Sequence, residues 1–523
     1  MRRLHPRSAA VSVGRAALQG AFFGLIAGTT LAGALGVPAW LVPLLAPLGA
    51  VLLGGFAVAR YYRFRYEIDG ETLAVESGVF ARQSREIPLG RIQNVDVTQG
   101  VLNRLLGLSV VAFETAGGSA TEATLNAVAP EEAERLRRLI HRHGERGSDA
   151  EETVPETDDE SALGERVDGP ETDTEDVDPL FAFGLRDLLT YALVSVRPAA
   201  FVFLVAGLPL GFDLFRTVLR FNLGVVGSNA ALTPALLDAL GPPRLVALAL
   251  VTLVQLLVAA LVLSVALTVV EYYGFTLVRD GEDLRYQRGL LRRYSGTIPL
   301  SKVQTVTVRE NVLMRRFGFA TLVVETAGYS GGGQQSTQGV AVPMASREAV
   351  YDLAQDIEPF GEFEFERPPT RARRRYAARF AIPVTVAVAL AYAVDTLLLG
   401  TGYWWVSLAL FALVPPAAHL RWRHRGYALD TDVFATRTGF WRQSTRVVPY
   451  YRVQTVFVGR SPFQRRRRLA TVTADTASTS SILGGSATAY DIDDATAGEL
   501  RDDLRERLYR DLLARRGSDA ADQ

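Results

Sequence analysis

The sequence contains no cysteine, which excludes disulfide bonds, iron–sulfur clusters, thiolate zinc sites and a cysteine nucleophile. Histidine is also scarce, with five residues in 523, and Lys302 is the one lysine among 56 basic residues. The chain further lacks a recognisable nucleophile and base pair, a phosphate-binding Walker loop and a cluster of metal ligands. These absences predict a protein that is not an enzyme and that binds no cofactor or metal.

The charged residues are unevenly distributed, although acidic and basic residues number 56 each. Residues 145–178 contain 15 acidic and two basic side chains and few apolar ones, which predicts a disordered acidic linker over residues 145–179. The rest of the chain then has 54 basic and 41 acidic residues, a net charge of +13 that suits contact with anionic lipid headgroups. Alternatively, the linker folds over the chain's own basic domains. The preference for arginine is typical of a GC-rich prokaryotic genome, and the acidic linker would suit a halophilic archaeon.

Long uncharged runs predict an integral membrane protein. Residues 16–59 contain no ionisable side chain and are long enough for two helices of about 20 residues, each crossing about 30 Å of hydrocarbon. Two further pairs of apolar segments follow. The first pair lies at about 191–215, with Arg197 and Asp213 inside, and at 245–270; the second lies at 380–399, with Asp395 inside, and at 403–418. The sequence therefore predicts six transmembrane helices in three hairpins, at residues 16–59, 186–270 and 376–420.

Arginines flank the first and third hairpins on one side only. Arg15 and Arg60 border the first hairpin, and neither internal turn carries a basic residue. The third hairpin is preceded by Arg375 and Arg379 and followed by Arg421 and Arg425. Because basic residues in short flanks stay in the cytoplasm, both hairpins are expected to begin and end there. The second hairpin has arginines in its connection and would be ambiguous alone, but paired crossings give it the same orientation. The prediction is a multi-pass plasma-membrane protein with cytoplasmic N- and C-termini.

The segment after each hairpin repeats one pattern. A glycine, an Ile/Val-Pro-x-x-Arg/Lys-Ile/Val-Gln-x-Val motif, an arginine and a Glu/Asp-Thr-Ala sequence align over 39 positions without a gap. The motif prolines and glutamines are Pro88 and Gln93, Pro299 and Gln304, and Pro449 and Gln454. Such agreement predicts three copies of one domain, over residues 60–144, 271–360 and 421–516.

Each copy is predicted to consist of several strands followed by one helix. Short segments rich in Val, Thr, Leu and Phe end at Gly or Pro, which is typical of β-strands. Helices are predicted to close the copies over residues 130–141, 346–357 and 494–516, with Ser346 able to cap the second. Strands and one helix in about 80 residues suit a small bent sheet or barrel plugged at one end by that helix.

The paired spans and the Gly, Ile-Pro-x-x-Arg-Ile-Gln-x-Val and Thr-Ala-Gly motifs resemble the bacterial pleckstrin-homology (PH) membrane family, the YdbS/YdbT-like proteins, in a tandem form with three domains. The resemblance implies a PH-like fold of two packed sheets capped by a helix. The predicted fold class is therefore an α+β multi-domain integral membrane protein with six transmembrane helices and three PH-like domains. The family brings no catalytic residue, and its usual association is with resistance to antimicrobial peptides or with export.

The third copy departs from this pattern at one glycine. Arg468 stands where Gly107 and Gly318 lie in the other two copies. If that glycine makes a turn with positive φ, the third domain is expected to bend differently there.

A run of four arginines in the third copy is a candidate lipid- or partner-binding site. The run consists of Arg465, Arg466, Arg467 and Arg468 and lies in a predicted loop. At ~1 kcal/mol for each basic residue near an anionic leaflet, the run would contribute about 4 kcal/mol of attraction. The alternative is a solvated basic loop without a defined ligand.

The basic motif position provides further candidates for lipid or partner binding. Arg91, Lys302 and Arg452 each precede the motif glutamine by two residues, so the basic and amide side chains share one face of a strand. These pairs either bind a partner or complete a buried hydrogen-bond network.

Arg197 and Asp395 are candidate functional residues inside the membrane. A charge at the bilayer centre costs about 2.5–3.5 kcal/mol, so such residues are usually retained for a function. Alternatively, Arg197 lies near an interface and Asp395 at a helix end, since composition alone does not fix where a span begins or ends.

The leading hypothesis is a non-enzymatic integral membrane protein that displays three PH-like modules on the cytoplasmic face. Its partners would be membrane lipids and other membrane proteins or a second copy of itself, and not nucleic acid. The alternative is a transporter or an export accessory for antimicrobial resistance, with a pathway through the six spans. The sequence identifies no small-molecule substrate for either function.

Overall fold

The computed structural model describes residues 4–35, 40, 42–69, 72–79, 82–115, 123–149, 179–207, 212–225, 234–326, 340–400, 402–477 and 486–521. Most of the predicted acidic linker, residues 150–178, lies outside the described residues.

The helices of the described residues are numbered along the chain. They are α1 (Pro6–Leu35), α2 (Val42–Arg63), α3 (Val101–Leu105), α4 (Pro130–Asp149), α5 (Leu185–Val194), α6 (Pro198–Gly207), α7 (Phe212–Val225), α8 (Pro234–Tyr272), α9 (Val312–Phe317), α10 (Arg347–Ile357), α11 (Ala372–Val394), α12 (Val414–Arg423), α13 (Pro462–Arg465) and α14 (Asp494–Ala521).

The strands pair in antiparallel fashion. They are β1 (Arg65–Asp69), β2 (Thr72–Ser77), β3 (Gln83–Pro88), β4 (Ile92–Gln99), β5 (Ser109–Thr115), β6 (Ala123–Val128), β7 (Phe181–Ala182), β8 (Thr276–Asp280), β9 (Asp283–Arg288), β10 (Arg293–Pro299), β11 (Val303–Asn311), β12 (Phe319–Thr326), β13 (Val340–Ser346), β14 (Gly426–Leu429), β15 (Val433–Thr438), β16 (Arg442–Pro449), β17 (Val453–Gly459), β18 (Leu469–Thr476) and β19 (Ala487–Asp493).

Three modules follow the three sequence copies. Module one comprises β1–β6, module two β8–β13 and module three β14–β19, and they end in the helices α4, α10 and α14. In each module the motif proline ends the third strand, a three-residue 3-10 turn follows, and the motif glutamine lies at the start of the fourth strand. These turns are Leu89–Arg91, Leu300–Lys302 and Tyr450–Arg452.

Module one has a single core between two sheets and its closing helix. Side chains two residues apart on a strand face the same side, which buries Leu73 and Val75 of β2 against Phe113 of β5. Leu136 and Ile140, one helical turn apart on α4, complete this core. Two sheets packed around one apolar centre and closed by a helix match the predicted arrangement.

Module three repeats this arrangement with smaller side chains. Phe434 and Val448 of the first three strands pack with Val472 of β18, and Leu500 and Leu504 of α14 close the core.

The predicted cap of the second closing helix is also present, because Ser346 Oγ accepts a hydrogen bond from the Ala349 N–H at 3.2 Å.

Two of the sheets run from one module into the next. Strands β4–β6 continue through β10 into β7–β9, giving a seven-stranded sheet with the order β6-β5-β4-β10-β9-β8-β7. Strands β11–β13 continue through β16 into a six-stranded sheet with the order β13-β12-β11-β16-β15-β14. Strands β1–β3 and β17–β19 form separate three-stranded sheets.

The chain divides into two compact units, and the division runs through module two. The first unit comprises Met1–Ala182, Phe275–Lys302 and Thr326–Gln338, so it contains module one and β8–β10. The second unit comprises Phe183–Gly274, Val303–Glu325 and Gly339–Gln523, so it contains β11, β13 and module three.

Four helices of the described residues are long and apolar enough to cross a membrane. They cover Pro6–Thr30, Val42–Arg63, Val246–Tyr272 and Ala372–Leu397. They account for both helices of the first predicted hairpin and for one helix of each of the others. The structure therefore does not reproduce all six predicted spans as long apolar helices.

The other two predicted spans have a different form. The segment expected at 191–215 is shared among α5, α6 and α7, because α5 ends at Val194, shortly before Pro198. A residue that precedes proline is disfavoured in the helical region, which explains this break. The segment expected at 403–418 begins as a 3-10 helix, Trp404–Leu413, and continues as α12.

Glycines allow α1 and α2 to pack closely. Gly20 and Gly24 lie one turn apart on α1, and a Cβ atom at either position would overlap a backbone carbonyl of α2, at Gly49 or Leu45. Small residues at this spacing are the common means by which membrane helices approach each other.

Candidate functional site

The four consecutive arginines lie in a tight turn of module three, here called the arginine turn (residues 465–468). The turn follows the capped start of α13, where Ser461 Oγ accepts from the Gln464 N–H at 3.3 Å and Gln464 Oε1 accepts from the Ser461 N–H at 2.9 Å. Arg467 is half-buried, and the other three arginines of the turn are exposed.

The expectation that module three bends differently at Arg468 is wrong. Arg468 has φ +51°, close to the +65° of Gly107 and the +75° of Gly318. The closing helix explains why the turn is kept, because the Asp494 N–H donates to the Arg468 carbonyl just as the Arg347 N–H donates to the Gly318 carbonyl. An arginine therefore adopts the left-handed conformation here, at a cost of roughly 1–2 kcal/mol.

The arginine turn is attached to the start of a membrane helix. Arg371, the residue before α11, donates from Nε to the Arg467 carbonyl and from Nη2 to the Arg468 carbonyl, both at 2.8 Å. Arg371 also pairs with Asp493, and its hydrogen bond lowers the pKa of that carboxyl group. Leu469, next in sequence to the turn, packs in a small cluster with residues of α11 and α12. The exposed arginines thus lie beside the point where α11 begins.

A buried ionic cluster lies beneath this surface. The Asp491 side chain is fully buried and accepts from Arg425 Nη1 at 3.2 Å, from Gln464 Nε2 at 2.8 Å and from Arg375 of α11. Arg425 also lies against the rings of two tyrosines, with Cζ 4.8 Å from the centroid of Tyr376 and 4.6 Å from that of Tyr490. A buried carboxylate requires such charge and hydrogen-bond partners, so the cluster ties module three to α11 and to the end of α12.

Sequence reasoning missed Asp491, although the internal repeats contain a signal for it. The strand pairing and the start of the closing helix align Arg425 and Asp491 with Phe64 and Ala127 of module one. The same alignment places Phe275 and Met344 at these positions in module two. An apolar pair in two modules is therefore replaced by an ion pair in the third.

The basic motif residues that the structure describes differ in their surroundings. The side chain of Arg91 lies outside the described residues. Burial lowers the pKa of Lys302, and the charge of Asp283 opposes that shift. Arg452 lies over the ring of Tyr451, with Cζ 4.8 Å from its centroid.

The motif glutamines also differ in their surroundings. Gln304 is buried and Gln454 is exposed, whereas the side chain of Gln93 lies outside the described residues. The prolines Pro88, Pro299 and Pro449 end β3, β10 and β16. The repeated motif therefore marks the two strands on either side of the 3-10 turn.

Arg197 lies in the break between α5 and α6 and contacts the far end of α8. Its backbone N–H donates to Ser264 Oγ at 2.9 Å, and its guanidinium pairs with Glu271 at 2.6 Å. Since Glu271 is near the end of α8, these contacts favour the interface alternative for Arg197.

Asp395 lies directly after α11, at the start of a π-helical turn, Asp395–Leu399. Its carboxylate is 5% exposed and accepts from the Gly402 N–H at 3.1 Å and from the Trp404 N–H at 3.3 Å. These contacts connect the end of α11 to the segment that follows, which favours the helix-end alternative.

Within the part of the chain that the structure describes, no group of three or more His, Cys, Asp or Glu side chains is arranged to hold a metal ion. The arrangement instead offers a basic surface next to membrane helices and a series of strand edges. It can bind anionic groups and other strands.

Comparison with known proteins agrees with this description. The family described as "Bacterial PH domain" matches residues 21–143, 222–359 and 381–508, which together make up most of the chain. The protein belongs to this family, in the tandem form with three domains, and it is a membrane protein.

Two relatives come from Bacillus subtilis (strain 168). The chain is 24% identical to the UPF0699 transmembrane protein YdbT over 457 residues, 83% of this chain and 85% of that protein. It is 36% identical to the UPF0699 transmembrane protein YdbS over 102 residues, 18% of this chain and 62% of that protein. No solved structure matches the chain.

Proposed function

We propose that this is a non-enzymatic membrane scaffold that displays three PH-like modules on the cytoplasmic face, where its arginine turn binds anionic lipid headgroups. The contact of Arg371 with the carbonyls of Arg467 and Arg468 is the observation that carries this proposal. Because the candidate span begins at Ala372, the contact keeps three exposed arginines close to where the chain would enter the membrane.

The shared sheets support the placement of all three modules on one side. Strands β4 and β10 join modules one and two, and β11 and β16 join modules two and three. Only Leu300–Lys302 lie between β10 and β11, and three residues reach at most about 11 Å, less than the ~30 Å hydrocarbon core. An even number of crossings must then separate successive modules.

Each of α8 and α11 would therefore need a returning crossing. The segment after α11 is long enough, because ten 3-10 residues from Trp404 to Leu413 and ten α-helical residues in α12 extend about 35 Å. The returning crossing before α8 would lie among α5, α6 and α7. This supports three hairpins, and the arginines beside them favour a cytoplasmic position for the modules.

A test of lipid binding can use the full chain, because it has no cysteine. Phe463 of α13 is 72% exposed, so Phe463→Cys provides one site for an environment-sensitive fluorophore beside the arginine turn. In nanodiscs, the fluorophore is expected to report a headgroup environment when phosphatidylglycerol is present and an aqueous one in pure phosphatidylcholine. Added salt should reverse the effect, because it screens exposed charges.

Two double variants test how much the arginine turn contributes to lipid binding. Arg465→Ser with Arg466→Ser removes ~2 kcal/mol of attraction, so docking should weaken roughly thirtyfold. Arg505→Ser with Arg510→Ser removes the same charge from exposed positions of α14 and serves as the matched control. If both double variants behave alike, or if the fluorophore does not distinguish the two lipids, the lipid-binding part of the proposal is wrong.

Transport is the weaker candidate. It depends on charges within the membrane, and Asp395 already accepts two backbone hydrogen bonds in a hairpin turn. Arg197 is likewise paired with Glu271. Both contacts give these residues a structural purpose, so we favour binding and scaffolding over a pathway.

A further inference from the structure

The two junctions between modules use the same strand register. At the first junction Val97 of β4 lies opposite Ser295 of β10, and at the second Val308 of β11 lies opposite Thr445 of β16. The 39-position alignment makes these two pairs equivalent. One rule therefore describes both junctions: the fourth strand of a module pairs with the third strand of the next.

Two strands of the described residues have no junction partner under this rule. Strand β3 is the third strand of module one, and β17 is the fourth strand of module three. In the sheets of the described residues, β3 pairs only with β2 and β17 only with β18. The strands equivalent to β3 are β10 and β16, and those equivalent to β17 are β4 and β11. Each of these four strands pairs with a neighbour on both sides.

Side chains of both strands are more exposed than their equivalents at the two junctions. Residues 83–86 of β3 are all exposed, whereas Thr445 and Val447, at equivalent positions of β16, are each 1% exposed. On β17, Phe457 is 43% exposed, whereas its equivalents Thr307 and Asp96 are 0% and 4% exposed. Such an unpaired edge is a template for another strand.

We propose that β17 of one copy of this protein pairs with β3 of a second copy, in the register that joins the modules within one chain. Val458 would then lie opposite Ser84, as Val308 lies opposite Thr445. A second copy is the favoured occupant because one chain carries both halves of the junction. The two edges are different, so the contact is head to tail and either closes a ring or extends a chain of copies.

Charge complementarity supports the same register. Arg446 on β16 pairs with Glu325 on β12 across the second junction, at 3.6 Å. In the alignment Arg446 corresponds to Arg85 of β3, and Glu325 corresponds to Asp475 of β18. The junction between copies would therefore regenerate this ion pair as Arg85 with Asp475.

One pair of residues opposes the contact. Glu310 lies opposite Gln443 in the second junction, and the corresponding residues between copies are Arg460 and Arg82. Like charges directly opposite each other weaken a strand pair. Asp494, which pairs with Arg460 in the described structure, reduces this repulsion.

Engineered disulfides in the full chain test the proposal, because the native sequence contains no cysteine. Two differently tagged chains, one with Ser84→Cys and one with Val458→Cys, are co-expressed and oxidised in native membranes. Opposite residues of antiparallel strands have Cα atoms about 4.5–5.5 Å apart, within the range that a disulfide bridges. We expect a disulfide-linked pair carrying both tags.

Ser84→Cys with Gly459→Cys is the matched control, because it moves one cysteine by a single residue of β17 and leaves Arg85 in place. Adjacent strand residues point to opposite faces, so this combination should crosslink at least about tenfold more slowly. Val308→Cys with Thr445→Cys in one chain is the positive control and should close within that chain.

Other outcomes overturn the proposal. Equal crosslinking of Ser84→Cys chains with one another would indicate a symmetric contact. In a third chain that carries both Ser84→Cys and Val458→Cys, a bond that forms only within one chain would indicate a closed monomer. Crosslinking of either chain to a different protein, or no crosslinking at all, would remove the second copy as the occupant.

Charge variants add an independent readout. Arg85→Asp in the Ser84→Cys chain should reduce crosslinking between copies about two- to fivefold, and Asp475→Arg in the Val458→Cys chain should restore it, since exposed pairs contribute up to about 1 kcal/mol. Arg82→Glu should increase crosslinking, because it faces Arg460.

The inference depends on the proposed function only in that modules one and three must lie on the same side of the membrane. Accessibility of the single cysteines to an impermeant thiol reagent, from each side, tests that requirement separately. Lipid binding by the arginine turn is not needed, so the two proposals can fail independently.

Discussion

Removal of Asp491 should destabilise module three more than any other single change of a charged residue in it. Asp491→Ala would leave Arg375 and Arg425 without the carboxylate, although Arg425 is only 6% exposed. Breaking a buried ion pair by removing one partner costs about 3–5 kcal/mol.

Thiol labelling can measure this effect in the intact membrane protein. Ala474 on β18 is fully buried in the core of module three, so Ala474→Cys in the cysteine-free chain is labelled only when the module opens. A loss of about 3–5 kcal/mol corresponds to labelling roughly a hundredfold to several thousandfold faster.

A triple variant tests whether the loss of stability comes from the unpaired arginine charges. Arg375→Leu and Arg425→Phe together with Asp491→Ala remove every charge of the cluster and restore the Phe and Ala that module one has at two of these positions. Replacement of a buried ion cluster by apolar side chains is often neutral or stabilising, so the triple variant should label more slowly than Asp491→Ala. The reasoning is refuted if Asp491→Ala labels within about threefold of the parent, or if the triple variant labels faster than the single one.

Two further predictions concern the first hairpin and a carboxyl group. Gly24→Leu should lower the free energy of unfolding by about 1–3 kcal/mol, measured by thermal unfolding of the detergent-solubilised chain, because its Cβ would overlap the Leu45 carbonyl. Gly55→Leu is the control and should change little, because there is open space around Gly55. Equal effects of the two substitutions would show that close packing of α1 on α2 is not needed. Burial raises the pKa of Glu358 to about 7, with Arg515 and Arg452 opposing that shift. Because this pKa is above that of the unfolded chain, the contribution of Glu358 to stability is complete at acidic pH and is lost as pH rises through about 7. Glu358→Gln should abolish that part of the pH dependence in thermal unfolding, and an unchanged pH profile would contradict the assignment.

The repeat made the module structure predictable. A gapless alignment over 39 positions locates the third strand, the 3-10 turn and the fourth strand in every copy, because a proline, a glutamine and alternating Val residues fix these elements locally. The choice of partner strand was not predictable. Val97 pairs with Ser295, which is far away in sequence, and no local pattern specifies so distant a neighbour.

The candidate site was predicted in part. The arginine run was visible as a charge pattern, but its attachment to Arg371 depends on tertiary contacts. Arg375 and Arg425 were interpreted only as flanks of a membrane hairpin, since a basic residue near a span has the same appearance whether or not it pairs with a buried acid. Asp491 looked like any polar residue near the end of a strand, and only comparison with Ala127 and Met344 would have singled it out.

The division through module two has a consequence for the insertion of further repeats and for the choice of fragment boundaries. One boundary between the compact units falls between Lys302 and Val303, inside the repeated motif, so the compact units do not coincide with the repeated sequence copies. Because each junction pairs the fourth strand of one module with the third strand of the next, insertion or loss of a whole repeat is expected to keep the remaining junctions and the same two terminal strands. A fragment trimmed to one sequence copy, by contrast, is expected to expose a bare strand at each side and to precipitate.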